Sequence, residues 1–375
     1  MKKVCVITTV HHAYDGRIYH KQCKSLAKNG YSVDLIAPEP DDREEQSPIR
    51  LIPIEKPKSK LKRIVNTLKV IKLARKTKAD LYHFHDPELL MVGVILRLIT
   101  RKPVIFDVHE HYPNAIMSKP YLSKRLKPII RSGYEMMEKL SLSILSGVIY
   151  TTTEIGERYK KYKSCKIENY PLKTMFTQSI SEQSKDPNQL IYLGGMTPIR
   201  GVKELVGAFA LVVKDKPTAK LTFVGFFESS SFESEIKAII KKLEIEDHIE
   251  FKGRVPYEEI ENYLSHSAIG IIPYLPVPNH LVCLPNKLFE YMASGTAVVA
   301  SDFPHYREVV EQSRGGIVVD PTNVQNMAKE VTRLLSDPDQ LKEIQKNAQK
   351  AFNSTYNWEK EEKKLLTFYN EVLSS

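Results

Sequence analysis

The chain predicts an α/β protein built from two doubly wound, Rossmann-like domains, and three observations predict it. Its 375 residues exceed what one ordinary hydrophobic core organises. Short apolar runs of strand length alternate with helical segments, the pattern of a parallel sheet covered on both faces. The alternation lapses in a polar stretch, residues 177–189, and then restarts. The expected divisions are a first domain over 1–172, a second over 188–352, and a closing segment over 353–375. The helix of that last segment has no strand after it and is expected to cross back to the first domain.

Residues 4–9 open with Val-Cys-Val-Ile and read as the first strand. A helix follows over 18–29 and is stopped by Gly30, which suits the left-handed residue past a helix end. Further strands are expected at 32–37, 81–85, 104–108 and 147–151. Helices are expected at 61–77, where Leu61, Ile64, Val65, Leu68 and Ile71 keep helical spacing, and at 124–145. The second set of strands is 189–192, 220–224, 249–252, 269–272, 297–300 and 316–319. Two such sheets are expected to bind ligands beyond the carboxyl ends of their strands, in a cleft between the domains.

Composition narrows the class. Apolar residues are 42% and charged residues 27% of the chain, as in a soluble globular protein. No apolar run reaches the 18 residues of a membrane span, and the early His11, His12 and Asp15 interrupt any signal-peptide reading. Cys5, Cys23, Cys165 and Cys283 form no C-x-x-C pair, which argues against zinc and against a disulfide framework, and fits the cytoplasm. Charge is uneven: residues 1–170 hold 32 Lys/Arg against 18 Asp/Glu, a net of +14, within a total of +10. Ten of these cations fall between Lys56 and Lys78 with no acid, among them Lys62 and Arg63. A second cluster contains Lys124 and Arg125. Basic amphipathic helices of this kind suit an anionic membrane surface, the inner face of the cell membrane. The competing reading is a solvated face whose apolar side packs in the domain. No binding module for nucleic acid is visible, so none is expected.

Four loops carry candidate chemistry. His11-His-Ala-Tyr-Asp15-Gly16-Arg17 follows the first strand, and Gly16 would let backbone N–H groups approach a phosphate, or simply make a turn. His83-Phe-His85-Asp86 and Phe106-Asp-Val-His109-Glu110 end two other strands. His83 and His85 share a strand face, as two metal ligands could, but no helical H-E-x-x-H accompanies them and no metal is expected; His109 at a strand's carboxyl end is better suited to orienting substrate. Tyr192-Leu-Gly194-Gly195, then Arg200-Gly-Val-Lys203, places glycines after a strand and cations where a helix begins, a grip for a diphosphate. Gly253-Arg254-Val255-Pro256 is a weaker signal, a turn before an acidic helix start. Most specific is Pro285-Asn286-Lys287-Leu288-Phe-Glu290, running to Gly295-Thr296. Pro285 suits a first helical turn, Gly295 stops the helix three turns later, and the helix start can seat phosphate while Glu290 holds hydroxyls.

Together these segments resemble the family 4 glycosyltransferases, retaining enzymes of the GT-B fold. The likeness covers nearly the whole chain, including Tyr356-Asn-Trp358-Glu near the end. It implies that Glu290 is the second glutamate of the family's E-x7-E motif and holds a ribose. It also implies that Asn286 and Lys287 present backbone N–H groups to the distal phosphate, with Leu288 beside them. His109 matches the active-site histidine near the transferred sugar, Gly16 the loop beside the diphosphate, and Val255, next to Arg254, a contact to the base. Two departures stand out. The first glutamate of the motif is replaced by Val282, and the usual G-R-x3-K-G grip reads Gly195-Met196-x3-Arg200-Gly201. Lys203 or Lys287 could restore the missing cation, and Asn279 or His280 the missing sugar contact.

The resemblance therefore implies a retaining, metal-independent transferase with no cofactor, using a nucleoside diphosphate sugar, UDP-linked by family habit. The acceptor would be a glycan or lipid-linked molecule in surface polysaccharide biosynthesis. His109, Arg200 and Glu290 would carry the reaction. Two alternatives stay open: a nucleotide-sugar epimerase or hydrolase using His83, His85 and His109, and a non-catalytic nucleotide-sugar-binding protein.

Overall fold

The computed structural model describes residues 1–40, 47–55, 60–109, 111–118, 122–176, 185–256 and 259–375. They form two compact units, Met1–Asn169 with Trp358–Ser375, and Tyr170–Asn357. Glu110 lies outside the described residues, as do the side chains of Lys62 and Arg63.

The first unit holds a seven-stranded sheet: β1 Lys3–Ile7, β2 Ser32–Pro38, β3 Ile49–Ile54, β4 Leu81–Phe84, β5 Val104–Val108, β6 Gly147–Tyr150 and β7 Ser164–Lys166, in spatial order β3-β2-β1-β4-β5-β6-β7. Every pairing is parallel. One face packs Cys5, Ile7, Tyr82, Phe84 and Phe106 into a core. The alternate residues Val4, Val6, Leu81 and Ile105 are equally buried, so the strands read as unbroken apolar runs rather than alternating ones. The helix Trp358–Leu373 belongs to this unit. Trp358 Nε1 donates to Ser25 Oγ at 2.8 Å, and Tyr369 Oη lies 2.6 Å from His83 Nδ1. Gly147 makes the approach close: a Cβ there would stand 2.7 Å from the Phe368 ring.

Several elements of the first unit differ from expectation, strands β3 and β7 among them, which fall where no strand is expected. The helix after β1 begins at Gly16, and its first stretch, Gly16–Cys23, is wound as a π-helix before Lys24–Lys28 continues as an α-helix. Asp15 caps it, accepting from the N–H groups of Arg17 and Ile18 at 2.8 and 3.0 Å. The apolar run Leu90–Thr100, where no element is expected, is a helix.

The second unit holds six parallel strands: β8 Asp186–Leu193, β9 Lys220–Val224, β10 Ile249–Gly253, β11 Ser267–Ile272, β12 Ala297–Ser301 and β13 Gly316–Val319, ordered β10-β9-β8-β11-β12-β13. Leu190 and Tyr192 enter one core and Ile191 and Leu193 the other, so this sheet is also buried on both faces. Successive strands are laid outward from β8 on one side and from β11 on the other. The crevice between the carboxyl ends of β8 and β11 is therefore the topological switch point, where such sheets bind ligands. In the first unit the same reasoning selects the ends of β1 and β4.

Candidate functional site

In the second unit, a pocket of about 400 Å³ opens at that switch point. It is lined by Gly194 from the end of β8, Arg200, Tyr274 just beyond β11, Asn279 and His280, and Pro285, Asn286, Lys287 and Glu290. The helix carrying the last group, Asn286–Ala293, is held by Tyr291. Its ring lies over Gly270, where a Cβ would approach to 2.5 Å, and its hydroxyl accepts from the Leu193 N–H at 2.9 Å. Pro285, expected in the first turn, is instead the extended residue capping the helix, and the helix is eight residues rather than three turns. Gly295, at φ +63°, ends it as expected.

Arg200 closes a short turn, Pro198–Arg200, and its Nη1 donates to the Gly195 carbonyl at 3.0 Å. Its guanidinium lies 5.6 Å from the Tyr274 ring centre. The next residue, Gly201, is left-handed, at φ +69°, and a Cβ there would stand 1.7 Å from the Pro273 carbonyl oxygen, so the turn can pass beneath the strand end only as glycine. Lys287 points into the same corner. Its Nζ is 3.9 Å from the Tyr192 ring centre and 4.9 Å from that of Tyr274, and it is buried with no hydrogen-bond partner. Burial, then Arg200, hold this amine well below the usual lysine range, against the pull of Glu290. Burial also lowers His280, whose Nδ1 lies 2.9 Å from the Leu275 carbonyl oxygen. A guanidinium, an enclosed amine, a buried carboxylate and a helix start thus converge on one pocket, an arrangement that suits a polyanion bearing hydroxyl groups.

The remaining donor-side candidates are placed differently. Lys203 pairs with Glu235 on the surface and does not line the pocket. Leu288 is fully buried in the core, and its N–H already donates to the Pro285 carbonyl at 3.1 Å, so it offers a ligand nothing. Met196 is buried in the core as well. Arg254 stacks over Phe226 at 4.7 Å, and Val255 is partly buried against the edge of a hydrophobic core; neither lines the pocket. Lys124 and Arg125 are exposed at the start of helix Leu126–Leu142. The pocket's tyrosines, Tyr274 and Tyr306, carry no signal in the sequence, because each stands among apolar residues like an ordinary core aromatic.

The first unit gathers a second cluster at the ends of β1, β4 and β5. Arg17 forks onto Asp107, Nε to Oδ2 at 3.2 Å and Nη2 to Oδ1 at 3.0 Å, and Gln22 Nε2 donates to Oδ2 at 2.6 Å. Burial opposes ionisation of Asp107, yet Arg17 and the nearby histidines hold its carboxyl down at about 2. His85 Nδ1 lies 3.0 Å from His109 Nε2. Burial pushes His83 and His109 down to about 4 and holds His85 well below the usual imidazole range. His11 is the exception: beside Asp15 at 3.6 Å and Asp86 at 3.5 Å, its pKa is raised. Its ring stands 5.3 Å from that of His109. His109 is thus a neutral imidazole, half-sheltered at a strand end. Gly16, exposed at the π-helix start, has no atom within 4 Å of a Cβ position. Ligand atoms of His83, His85 and Asp107 lie within 4.8 Å of one another, close enough for a metal. The chemistry argues otherwise, because both Asp107 oxygens already accept from the Arg17 guanidinium, whose charge would repel a cation.

Comparison with known proteins agrees with this architecture. The profile of the "Glycosyl transferases group 1" family matches residues 158–351, and that of "Glycosyltransferase Family 4" matches residues 16–168. An uncharacterized glycosyltransferase of Methanocaldococcus jannaschii is 25% identical over 92% of this chain and 92% of its own. The amylovoran biosynthesis glycosyltransferase AmsK of Erwinia amylovora is 24% identical over 42% of this chain and 39% of its own. Among solved structures, the sucrose-phosphate synthase of Thermosynechococcus elongatus superposes with a TM-score of 0.77 at 19% identity, covering all of both chains. HepE of Anabaena, solved with UDP-glucose, gives 0.73 at 16% identity, covering 99% of this chain and all of its own. With two parallel Rossmann-like sheets of the GT-B type and both profiles matched, the chain belongs to the group 1 glycosyl transferases of glycosyltransferase family 4.

Proposed function

We propose that this glycosyltransferase binds a nucleoside diphosphate sugar, with UDP as the carrier, in the pocket at the start of helix Asn286–Ala293. The observation that carries the reading is the convergence of Arg200, Lys287 and Glu290 on that pocket. The cations would take the charge that develops on the departing diphosphate, with no metal required, and Glu290 would accept from the ribose hydroxyls. HepE, a structural relative, was solved with UDP-glucose, which supports a nucleotide sugar as the donor.

In the proposed reaction the bond from the sugar's anomeric carbon to the phosphate breaks, and a bond to an acceptor hydroxyl forms on the same face. The hydroxyl proton passes to the leaving phosphate, and configuration is retained. His109, neutral at pH 7, would orient substrate hydroxyls. A thermal-shift screen of nucleoside diphosphates, followed by transfer assays with the stabilising donor, tests this. Stabilisation by no diphosphate would remove the reading.

The acceptor is proposed to be a glycan or lipid-linked molecule of surface polysaccharide biosynthesis, reached from the cytoplasmic face of the membrane. AmsK, named for amylovoran biosynthesis, supports the polysaccharide role. Helix Leu126–Leu142 supports the membrane: it turns Tyr134, Glu138 and Leu142 inward and leaves Leu126, Ile129, Ile130, Met136 and Leu140 exposed, with Ile129 at 68%. These fall at helical spacing beside exposed Lys124 and Arg125, the pattern of a helix lying on an anionic surface. No described helix is long and apolar enough to cross a membrane.

A further inference from the structure

The donor pocket contains an amine without a hydrogen-bond partner. Lys287 Nζ is buried, has no hydrogen-bond partner, and lies 3.5 Å from where a Gly194 Cβ would be; Arg200 Nη1 lies 3.9 Å from that point. Both side chains thus reach the same glycine turn from opposite elements, one from the helix after Pro285 and one from the turn before Gly201. Glycine is required at 194 by its backbone, which is left-handed at φ +109°. Position 196 supplies no charge, because Met196 is packed in the core.

The surroundings of the amine explain why it lies idle. The faces of Tyr192 and Tyr274 attract a cation, yet Arg200 shares the Tyr274 ring and opposes a second charge. Glu290 on its own helix favours the charge, while His280 from the neighbouring loop and Tyr291 from the same helix offer none. In the free protein burial and Arg200 prevail: an amine enclosed without a hydrogen-bond partner, beside a guanidinium, is disfavoured as an ammonium. A diphosphate arriving at Gly194 would reverse the balance by adding negative charge beside the nitrogen.

Resting on the donor-site reading above, we propose that Lys287 supplies the second cation of the diphosphate clamp and takes up a proton from solvent as the diphosphate binds, so that donor binding is proton-linked. The amine gains one proton to become an ammonium that donates to a phosphate oxygen; no other bond changes. The arrangement places the charge where the leaving group develops its own, and a charge raised only in the complex costs the free protein no buried ammonium.

Titration calorimetry with UDP at pH 8, where its terminal phosphate is already fully ionised, in buffers of differing ionisation enthalpy, tests this on the full chain. The expected result is uptake approaching one proton per UDP bound, and none with uridine. Lys287→Met should abolish the uptake and weaken UDP about 10- to 100-fold, the loss of a charged hydrogen bond. Lys287→Arg, charged throughout, should bind UDP without uptake and covers the case in which the methionine variant does not fold. UDP binding without uptake, or uptake that persists in Lys287→Met, overturns the proposal while leaving the nucleotide pocket in place. Failure of the wild-type protein to bind UDP, GDP or ADP would overturn both.

Discussion

Replacing Arg17 with methionine should destabilise the first unit more than almost any other single change. The side chain is 4% exposed, gives two hydrogen bonds to a fully buried Asp107, and donates a third from Nη2 to the Ile167 carbonyl at 2.9 Å. Methionine fills much of the volume, so the loss is electrostatic. It leaves a buried carboxylate whose remaining donor is Gln22 at 2.6 Å. Breaking a buried pair from one side costs about 3–5 kcal/mol, and the surviving Gln22 bond places this case near the lower end, about 3 kcal/mol. Trp358, the chain's single tryptophan, is buried in this unit, so urea unfolding followed by its fluorescence reads the effect directly. The loss should shrink as pH falls toward 4, where His83, 3.7 Å from Asp107, gains a proton and can replace the missing charge. A change under about 1 kcal/mol at pH 8, or one independent of pH, would refute the reasoning.

Other outcomes follow from the same geometry. Burial holds His83 and His109 at about 4 in the folded chain, below the ordinary histidine value of 6.5, so the unfolded chain binds protons first as pH falls. Their contribution is complete above pH 6.5 and is lost as pH falls toward 4, about 3 kcal/mol for each group. His11, shifted upward, opposes this by losing its contribution as pH rises. Trp358-detected melting between pH 7.5 and 4.5 should therefore show a steep acid loss; a flat profile would exclude neutral buried histidines. Gly201→Ala should cost more than about 2 kcal/mol, from its left-handed backbone and the Pro273 contact, and should weaken UDP by displacing Arg200. Unchanged melting and affinity would contradict the packing of that turn. Ile129→Asp with Met136→Asp should abolish sedimentation with vesicles containing phosphatidylglycerol, with little change in UDP affinity; undiminished sedimentation would dismiss the helix as a membrane face.

The strands that sequence patterning missed are both sheet edges. β3 carries Arg50 and Pro53 and is partly exposed, and β7 is three half-buried residues. Edge strands lack the second buried face that gives the others their unbroken apolar runs. The helix Leu90–Thr100 escaped notice for the opposite reason. It is apolar nearly all round, leaving Leu98 and Ile99 exposed, and so has no polar side to reveal its period.

The donor pocket was more legible, because Pro285 to Gly295 packs helix start, cation and carboxylate into eleven consecutive residues. What the spacing hid was burial. Lys203 and Lys287 look alike as candidate cations, yet one pairs with Glu235 in solvent and the other is enclosed by Tyr192 and Tyr274. Likewise the linkage of His109, His85, Asp107 and Arg17 depends on β1, β4 and β5 being adjacent, an order that separation along the chain does not encode.

The central claim is that Glu290 and its helix start hold the donor nucleotide, and calorimetric titration of UDP into wild-type protein and Glu290→Gln tests it most directly. The substitution keeps the shape and removes the charge, so affinity should fall about 10- to 100-fold. Equal affinity in the two proteins would contradict the account.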